Sequence, residues 1–199
     1  MPAVSKTLMP SRRLLQRLKL PVLALAVGLS TMCTGLDNID VATRGETTIE
    51  GSVLGSLLGQ ISFTGFEGID VSDSQNFQNQ GYTKDQIDSA RLKVFTLSVE
   101  SPATGDFNFL SRVSFFAESE GLPRVEIARM EEVPRDVRVL EMEILDVELV
   151  DYAAADAMTI TTVATGTSPE EDTTIAANVV LDIDVNVDGA LGCQITALP

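Results

Sequence analysis

The stretch TTIAANVVLDIDVNV, from Thr173 to Val187, decides the fold class of this chain. Apolar residues occupy its odd positions from Ile175 onward, whereas the even positions from Asn178 onward are mostly Asn and Asp. A period of two is typical of a β-strand with one buried face. A lone strand or hairpin is only marginally stable in water, so this face predicts a second apolar sheet surface packed against it.

Shorter runs of alternating, β-branched or aromatic residues precede this strand, with turn signals between them. They predict strands over residues 47–54, 59–66, 91–100, 107–117, 124–130, 137–150 and 157–165. Together with the first stretch, they predict an all-β protein, an antiparallel β-sandwich of about eight strands, of which a jelly roll is one form.

Three local features refine this prediction. The alternation slips between Val94 and Phe95, which indicates a bulge or a strand buried on both faces. A similar shift within residues 137–150 favours a strand with a bulge, with a helix as the open alternative. Residues 151–156 predict one helical turn, and residues 166–172 predict a hairpin loop before the last strand.

The first 33 residues have the layout of a secretory signal peptide. A basic leader contains five Lys and Arg residues, and an apolar run from Leu20 to Leu29 follows it. That run is too short to span a bilayer comfortably. We therefore predict a signal peptide at 1–33, a tether at 34–46, a single sandwich domain at 47–199, and export to the periplasm or the outer-membrane surface.

Cys33 leaves two ways for the signal to end. It sits where bacterial lipoproteins carry the lipidated cysteine, but Met32 stands where a small residue is usual. Cleavage after Gly35 is the alternative. A retained Cys33 could pair with Cys193 in an oxidising compartment, whereas a lipidated Cys33 leaves Cys193 as a small buried hydrophobe.

The charge and the residue inventory exclude several functions. The formal charge is −15, and it becomes −20 without the five basic residues of the leader. So acidic a protein repels nucleic acid and anionic lipid headgroups. The chain contains no histidine, which excludes Ser-His-Asp catalysis and His-ligated zinc. We predict that it is not an enzyme; a hydrolase with paired carboxylates is the remaining catalytic alternative.

One local pattern suggests calcium as a ligand. Asp184, Asn186 and Asp188, followed by Gly189, match the first half of a calcium-binding loop. The acidic residue expected at the last position of such a loop is replaced by Ile195. An extended strand would also space alternate side chains about 6.6 Å apart. The alternatives are a solvated strand face that ends in an Asp-Gly turn, or a calcium site completed by another loop.

The polar stretch from Asp70 to Ser89 predicts a long surface connection, a type that often carries function. Phe77 and Tyr82 lie within it, and Phe66 precedes it. These three aromatic residues are our candidate binding residues. An anchoring cluster beneath the loop is the alternative for Phe66 and Phe77.

The run FNFLSRVSFFAESEGLPRVEIARM, with the acidic strand after it and the TTIAANVVLDIDVNV arm, resembles uncharacterised exported or lipid-anchored β-sandwich proteins of Gram-negative bacteria. The resemblance covers residues 91–187 and includes no motif of catalytic meaning. It implies a sandwich fold and a cell-envelope location. We therefore expect a noncatalytic envelope protein with a structural or protein-binding role and a lipid anchor at most, with a calcium-dependent binding module as the alternative.

Overall fold

The structure is a computed structural model, and it describes residues 38–186. The predicted signal peptide, Cys33, Asp188 and Cys193 lie outside these residues. Among the described residues, no helix is long and apolar enough to cross a membrane.

Nine strands and two short α-helices make up the described chain. The strands are β1 (Asn38–Ile49), β2 (Gln60–Ile61), β3 (Ile87–Ser101), β4 (Leu110–Glu118), β5 (Val125–Met130), β6 (Val139–Glu141), β7 (Glu143–Ile144), β8 (Thr159–Gly166) and β9 (Thr173–Val185). The α-helices are α1 (Gln75–Gln80) and α2 (Val150–Ala154), and 3-10 turns cover Val71–Asp73 and Lys84–Gln86.

The strands form two antiparallel sheets. The first has the order β1-β9-β3-β6, and the second has the order β2-β8-β4-β5-β7. Side chains of both sheets contribute to one hydrophobic core. The predicted antiparallel β-sandwich is therefore confirmed.

Strand β9, the stretch that decides the fold class, lies between β1 and β3 in the first sheet. Leu181 is opposite Val41 of β1 and Leu92 of β3, so one row of apolar side chains crosses three strands. The odd positions of β9 are buried, and the even positions from Asn178 are half-buried. This alternation is what the period of two predicted.

An aromatic cluster joins the two sheets. The rings of Phe95 in β3 and Phe115 in β4 lie with their centroids 4.2 Å apart, and Phe63 and Phe66 pack beside them. A side chain on Gly45 of β1 would meet the Phe66 ring at 2.8 Å. The glycine in this strand therefore makes room for Phe66 against the first sheet.

Two sequence predictions are wrong. One places the start of a strand too late, and the other treats a crossing between sheets as a hairpin loop. Residues 38–46, predicted as tether, belong to β1, which pairs with β9 along its whole length. The predicted hairpin loop 166–172 instead carries the chain from β8 in the second sheet to β9 in the first. Strand β1 was difficult to recognise in the sequence because one of its faces is exposed and carries polar residues.

The ambiguous run 137–150 changes sheets. Its β6 segment pairs with β3 in the first sheet, and its β7 segment pairs with β5 in the second. The crossing lies at buried Met142, whose backbone N–H donates to the carbonyl of Phe95. The shift of the apolar positions therefore accompanies a change of sheet rather than a bulge within one strand.

The sandwich has two distinct ends. The described chain starts at Asn38 opposite Asp184 near the end of β9, and we call this the entry end. At the far end of β1, Ile49 lies opposite Thr173, where β9 begins. We call this the loop end. Strand β1 has 12 residues, and at about 3.3 Å per residue the two ends lie roughly 36 Å apart.

Candidate functional site

Three connections meet at the loop end. Residues 50–59 follow β1, residues 102–109 follow β3, and residues 167–172 join β8 to β9. The register places the residues before and after these loops side by side, because Thr173 pairs with Ile49 and Thr174 pairs with Ser101. The fold therefore brings together segments that are far apart in sequence.

Arg138 shapes the connection that follows β3. Its Nη1 donates to the carbonyl oxygens of Pro102 at 3.0 Å, Ala103 at 2.7 Å and Gly105, and its Nη2 donates to that of Val99 at 2.8 Å. The planar guanidinium thus holds four backbone carbonyls, three in the turn and one in β3, with the two hydrogens of Nη1 shared among the three turn acceptors. The turn is consequently fixed by a side chain that lies beneath it.

A small polar network fixes the other half of this connection. Asp106 accepts hydrogen bonds from the backbone N–H of Asn108 at 2.9 Å and from its Nδ2 at 2.8 Å. The Asn108 Oδ1 accepts from the backbone N–H of Asp136 at 2.9 Å. Asp136 has a φ of 58°, in the left-handed region that Asp and Asn tolerate best among non-glycine residues. These bonds hold the Asp106 carboxylate in one position.

Hydrogen bonds join the first connection to the third. The backbone N–H of Ser52 donates to the carbonyl of Pro169 at 2.8 Å, and the N–H of Ser168 donates to that of Ser56 at 2.8 Å. The hydroxyls of Ser56 and Ser168 lie 2.6 Å apart. The loop at 51–59, although rich in glycine and serine, is therefore attached to the chain that enters β9.

This attached loop presents apolar side chains to solvent. Val53 is 91% exposed, Leu54 is 94% exposed and Leu57 is 87% exposed. The other large hydrophobic residues that count as exposed in the described chain, Val94, Val139 and Val163, are at most 58% exposed. We call Val53, Leu54 and Leu57 the apolar tip. Clustered exposed apolar side chains are characteristic of contact sites.

A cleft of about 520 Å³ lies beside the apolar tip, between the second and third connections. Its lining includes the acidic residues Asp106, Glu170 and Glu171, the polar residues Asn108 and Ser168, and the aromatic residue Phe109. The full lining is Pro102, Thr104, Gly105, Asp106, Asn108, Phe109, Thr167, Ser168, Pro169, Glu170, Glu171 and Thr173.

No described basic side chain forms an ion pair with the acidic residues of this cleft. Seven Lys and Arg side chains form ion pairs elsewhere on the sandwich. The other two in residues 38–186, Arg135 and Arg138, donate to backbone carbonyls. None of these nine forms an ion pair with Asp106, Glu170 or Glu171, although Arg135 and Arg138 bond to backbone carbonyls of residues that line the cleft.

The predicted contact residues lie elsewhere and are not at the surface. Phe66 is 0% exposed and Phe77 is 1% exposed, so the prediction that they form a contact surface is wrong. Phe66 belongs to the aromatic cluster, and Phe77 turns inward from α1 into the same core. Tyr82 is half-buried and packs against that core. The alternative of an anchoring cluster is correct for Phe66 and Phe77.

The segment from Asp70 to Ser89 is folded onto the sandwich near the entry end. The Asn76 side chain donates to the carbonyl of Asp40 in β1 at 2.9 Å. The Lys84 ammonium lies 2.9 Å from the Asp70 carboxylate and donates to the carbonyl of Ala155 at 2.7 Å. Burial alone would raise the pKa of Asp70, but hydrogen bonds from Lys84 and Ser72 outweigh it and lower that pKa.

The described part of the suggested calcium site is an extended strand and its end. Asp184 is half-buried in β9, and Asn186 is exposed just after it. The third member, Asp188, lies outside the described residues. Within residues 38–186, no group of three or more His, Cys, Asp or Glu side chains could hold a metal ion.

Comparisons with known proteins supply little beyond the fold. No protein-family description matches the chain, and no curated protein matches it either. Among solved structures, the chain is weakly similar to the "Crystal structure of 60-mer BFDV Capsid Protein". That capsid protein is 10% identical, with a TM-score of 0.35, and the match covers 75% of this chain and 92% of that one.

Proposed function

We propose that this protein is a noncatalytic, exported cell-envelope protein that binds another envelope component through its loop end. The observation that carries this proposal is the pairing of an apolar tip with a polar cleft at one end of the sandwich. Both are built from loops that backbone and side-chain hydrogen bonds hold in place. Preorganised loops on a rigid β-scaffold are a common basis for binding.

The direction of the chain supports the proposed location. Residues 1–33 have the layout of a signal peptide, and the chain enters the sandwich at Asn38, at the end opposite the cleft. A lipid anchor on Cys33 would attach the protein a few residues before the entry end. The loop end would then face away from the membrane, free to meet a partner.

The proposed lack of catalysis rests on residue chemistry. The chain has no histidine, so it lacks the most common general base and the usual partner of a serine or cysteine nucleophile. The cleft carboxylates suit electrostatic binding of a cationic group. The proposal therefore takes binding, rather than hydrolysis by paired carboxylates, as the chemistry of this site.

Photo-crosslinking in the cells that make the protein tests the proposal. A photoreactive amino acid is placed at Leu54 or Thr104 in the loop end, and at Gln78 near the entry end as a matched exposed control. We expect a discrete adduct of one size from the two loop-end positions and none from Gln78. Adducts from Gln78 alone, or none from any position, would refute binding through the loop end.

The intact mass of the mature protein tests the location. A species that begins at Cys33 with added acyl mass, recovered with membranes, is expected if the chain is anchored. A species that begins near Leu36 in the soluble fraction would still agree with export but not with an anchor. A mature protein that retains the whole leader would contradict the proposed export.

A further inference from the structure

We infer that the partner of the loop end is a cationic protein segment that also carries aliphatic or aromatic side chains. This inference rests on the proposed function, since it names the chemistry of the partner at the same surface. It combines two neighbouring features, the apolar tip and the carboxylate-lined cleft, into one docking surface.

The apolar tip supplies the hydrophobic contact. Burial of a Val or Leu side chain that is otherwise exposed is favourable, and Val53, Leu54 and Leu57 are all nearly fully exposed. The N–H of Ser52 donates to the carbonyl of Pro169, and the carbonyl of Ser56 accepts from the N–H of Ser168, so the backbone beneath these side chains is held in place. Binding therefore requires little ordering of this loop.

The cleft supplies the charge complementarity. Asp106, Glu170 and Glu171 line it, and no described lysine or arginine pairs with them. Lysine or arginine side chains of a partner could form ion pairs with these carboxylates and would be attracted from a distance by the strongly acidic chain. Phe109 in the cleft wall offers an aromatic surface against which an arginine or an apolar side chain can pack.

The two features are continuous. Thr167, Ser168 and Pro169 form part of the cleft wall, and the same three residues bridge or bond to the loop that bears the tip. A single extended segment can therefore place basic side chains in the cleft and apolar side chains on the tip. One class of partner accounts for both features.

Two other occupants fit less well. A second copy would bring together two chains that are each strongly acidic, and Glu50, Glu170, Glu171 and Asp172 flank the tip on both. Stable dimers also bury roughly 1,200–2,000 Å² in all, more than three projecting side chains on each copy provide. An anionic lipid surface is repelled by the same carboxylates.

Peptide binding to the purified mature chain tests the inference. The probe is a short fluorescein-labelled peptide of Lys, Leu and Gly, and fluorescence anisotropy is read at low and at physiological salt. One control peptide has Ser in place of each Leu, and the other has Gln in place of each Lys. We expect each control peptide to bind at least about tenfold more weakly than the probe, from the loss of one kind of contact.

Paired protein variants locate the binding. Leu54→Ser with Leu57→Ser removes most of the tip, and Glu170→Gln with Glu171→Gln removes two cleft charges. Asp73→Asn with Asp85→Asn is the matched control, because it makes the same charge change in an exposed segment near the entry end. We expect the first two variants to lose about tenfold in affinity and the control to lose less than about twofold.

The inference would be overturned if the peptide does not bind, or if the matched control loses as much affinity as the other variants. It would also be overturned by a concentration-dependent dimer, or by sedimentation with phosphatidylcholine vesicles, that the Leu54→Ser change abolishes. Failure here is separable from failure of the proposed function. Crosslinked adducts at Leu54 without peptide binding would refute only the cationic chemistry, whereas absence of adducts would refute binding at the loop end.

Discussion

The segment from Asp70 to Ser89 and the loop at residues 51–59 both join strands, yet they place their apolar side chains in opposite environments. The first is mostly Gln, Asn, Asp and Ser, and it buries Val71 and Phe77. The second is mostly Gly and Ser, and it exposes Val53, Leu54 and Leu57. The polar segment thus covers the core with its apolar side chains. The loop of small residues instead exposes its apolar side chains to solvent.

The difference follows from how each segment meets the sandwich. Short helical turns within residues 71–86 give the first segment one side that faces the core. The loop at 51–59 instead bonds through its backbone to the third connection; Leu58 packs against the core, whereas Val53, Leu54 and Leu57 remain exposed. Val53, Leu54 and Leu57 therefore stay exposed because the backbone around them, rather than their side chains, attaches the loop.

The largest expected loss of stability comes from changes at the buried residues Phe66 and Phe77. Phe77→Ala and Phe66→Ala should each lower the free energy of unfolding by about 3–5 kcal/mol, since each empties a filled core position. Leu54→Ala should lower it by less than about 0.5 kcal/mol. Urea titration followed by circular dichroism measures all three. Similar losses for Leu54 and Phe77 would contradict the assignment of one to the tip and the other to the core.

The next largest expected loss of stability comes from a change at Arg138, which holds the turn beside the cleft. Arg138→Ala removes the side-chain donor of four backbone carbonyls, of which that of Pro102 still accepts from the N–H of Gly105, and should cost about 1–3 kcal/mol. Arg135→Ala is the control, because that exposed side chain donates one hydrogen bond, to the carbonyl of Asn108. Its cost should be less than about 0.5 kcal/mol by the same unfolding measurement. Equal costs would mean that Arg138 does not organise the turn.

The ion pair between Asp70 and Lys84 should contribute less than about 1 kcal/mol to the free energy of unfolding, and this contribution should depend on pH. The pKa of Asp70 is lowered in the folded chain, so its ion pair with Lys84 stabilises the fold above the ordinary aspartate pKa near 4. That contribution is lost as the pH falls through the lowered pKa. Unfolding of the wild type and of Asp70→Asn, compared from about pH 7 to about pH 2, should therefore converge at low pH.

The comparison with Asp70→Asn isolates one carboxylate, since the other acidic residues titrate in both proteins. Asp85→Asn, at an exposed position of the same segment, removes one carboxylate without breaking that ion pair and is the matched control. A difference between wild type and Asp70→Asn that stays constant into the acid range would rule out the ion pair as its source.

The smallest expected effect on stability is at the tip itself. Leu54→Ser with Leu57→Ser should change the free energy of unfolding by less than about 0.5 kcal/mol, because both side chains are already in water. The same variant should elute earlier from a hydrophobic-interaction column. A marked loss of stability would show that the tip packs against the protein.

Much of the fold could be predicted from the sequence because strand periodicity is local. The alternation in Thr173–Val185 identified the central strand, and the runs that became β3, β4, β5 and β8 were visible for the same reason. The sheet to which each strand belongs is a long-range property. Residues 166–172 therefore resembled a hairpin loop, although they cross between sheets.

The candidate site was less accessible to sequence reasoning. The cleft is assembled from residues 102–109 and 167–173, which only the strand pairing brings together. The tip left a weak signal, a Val-Leu pair and a Leu-Leu pair flanked by glycines with no alternation. Phe66 and Phe77 were misassigned because a polar neighbourhood says nothing about the direction in which a ring points.

Cysteine labelling compares the two regions most directly in their native setting. Leu54→Cys and Gln78→Cys, each with Cys193→Ser and with Cys33 left in place, are treated with a small maleimide in intact cells and after purification. Both positions are exposed in the isolated chain, so both should react at similar rates once purified. A partner at the loop end predicts that labelling of position 54 falls at least about tenfold in cells while that of position 78 does not. Equal labelling of the two positions in cells would contradict the claim that the loop end is the binding surface.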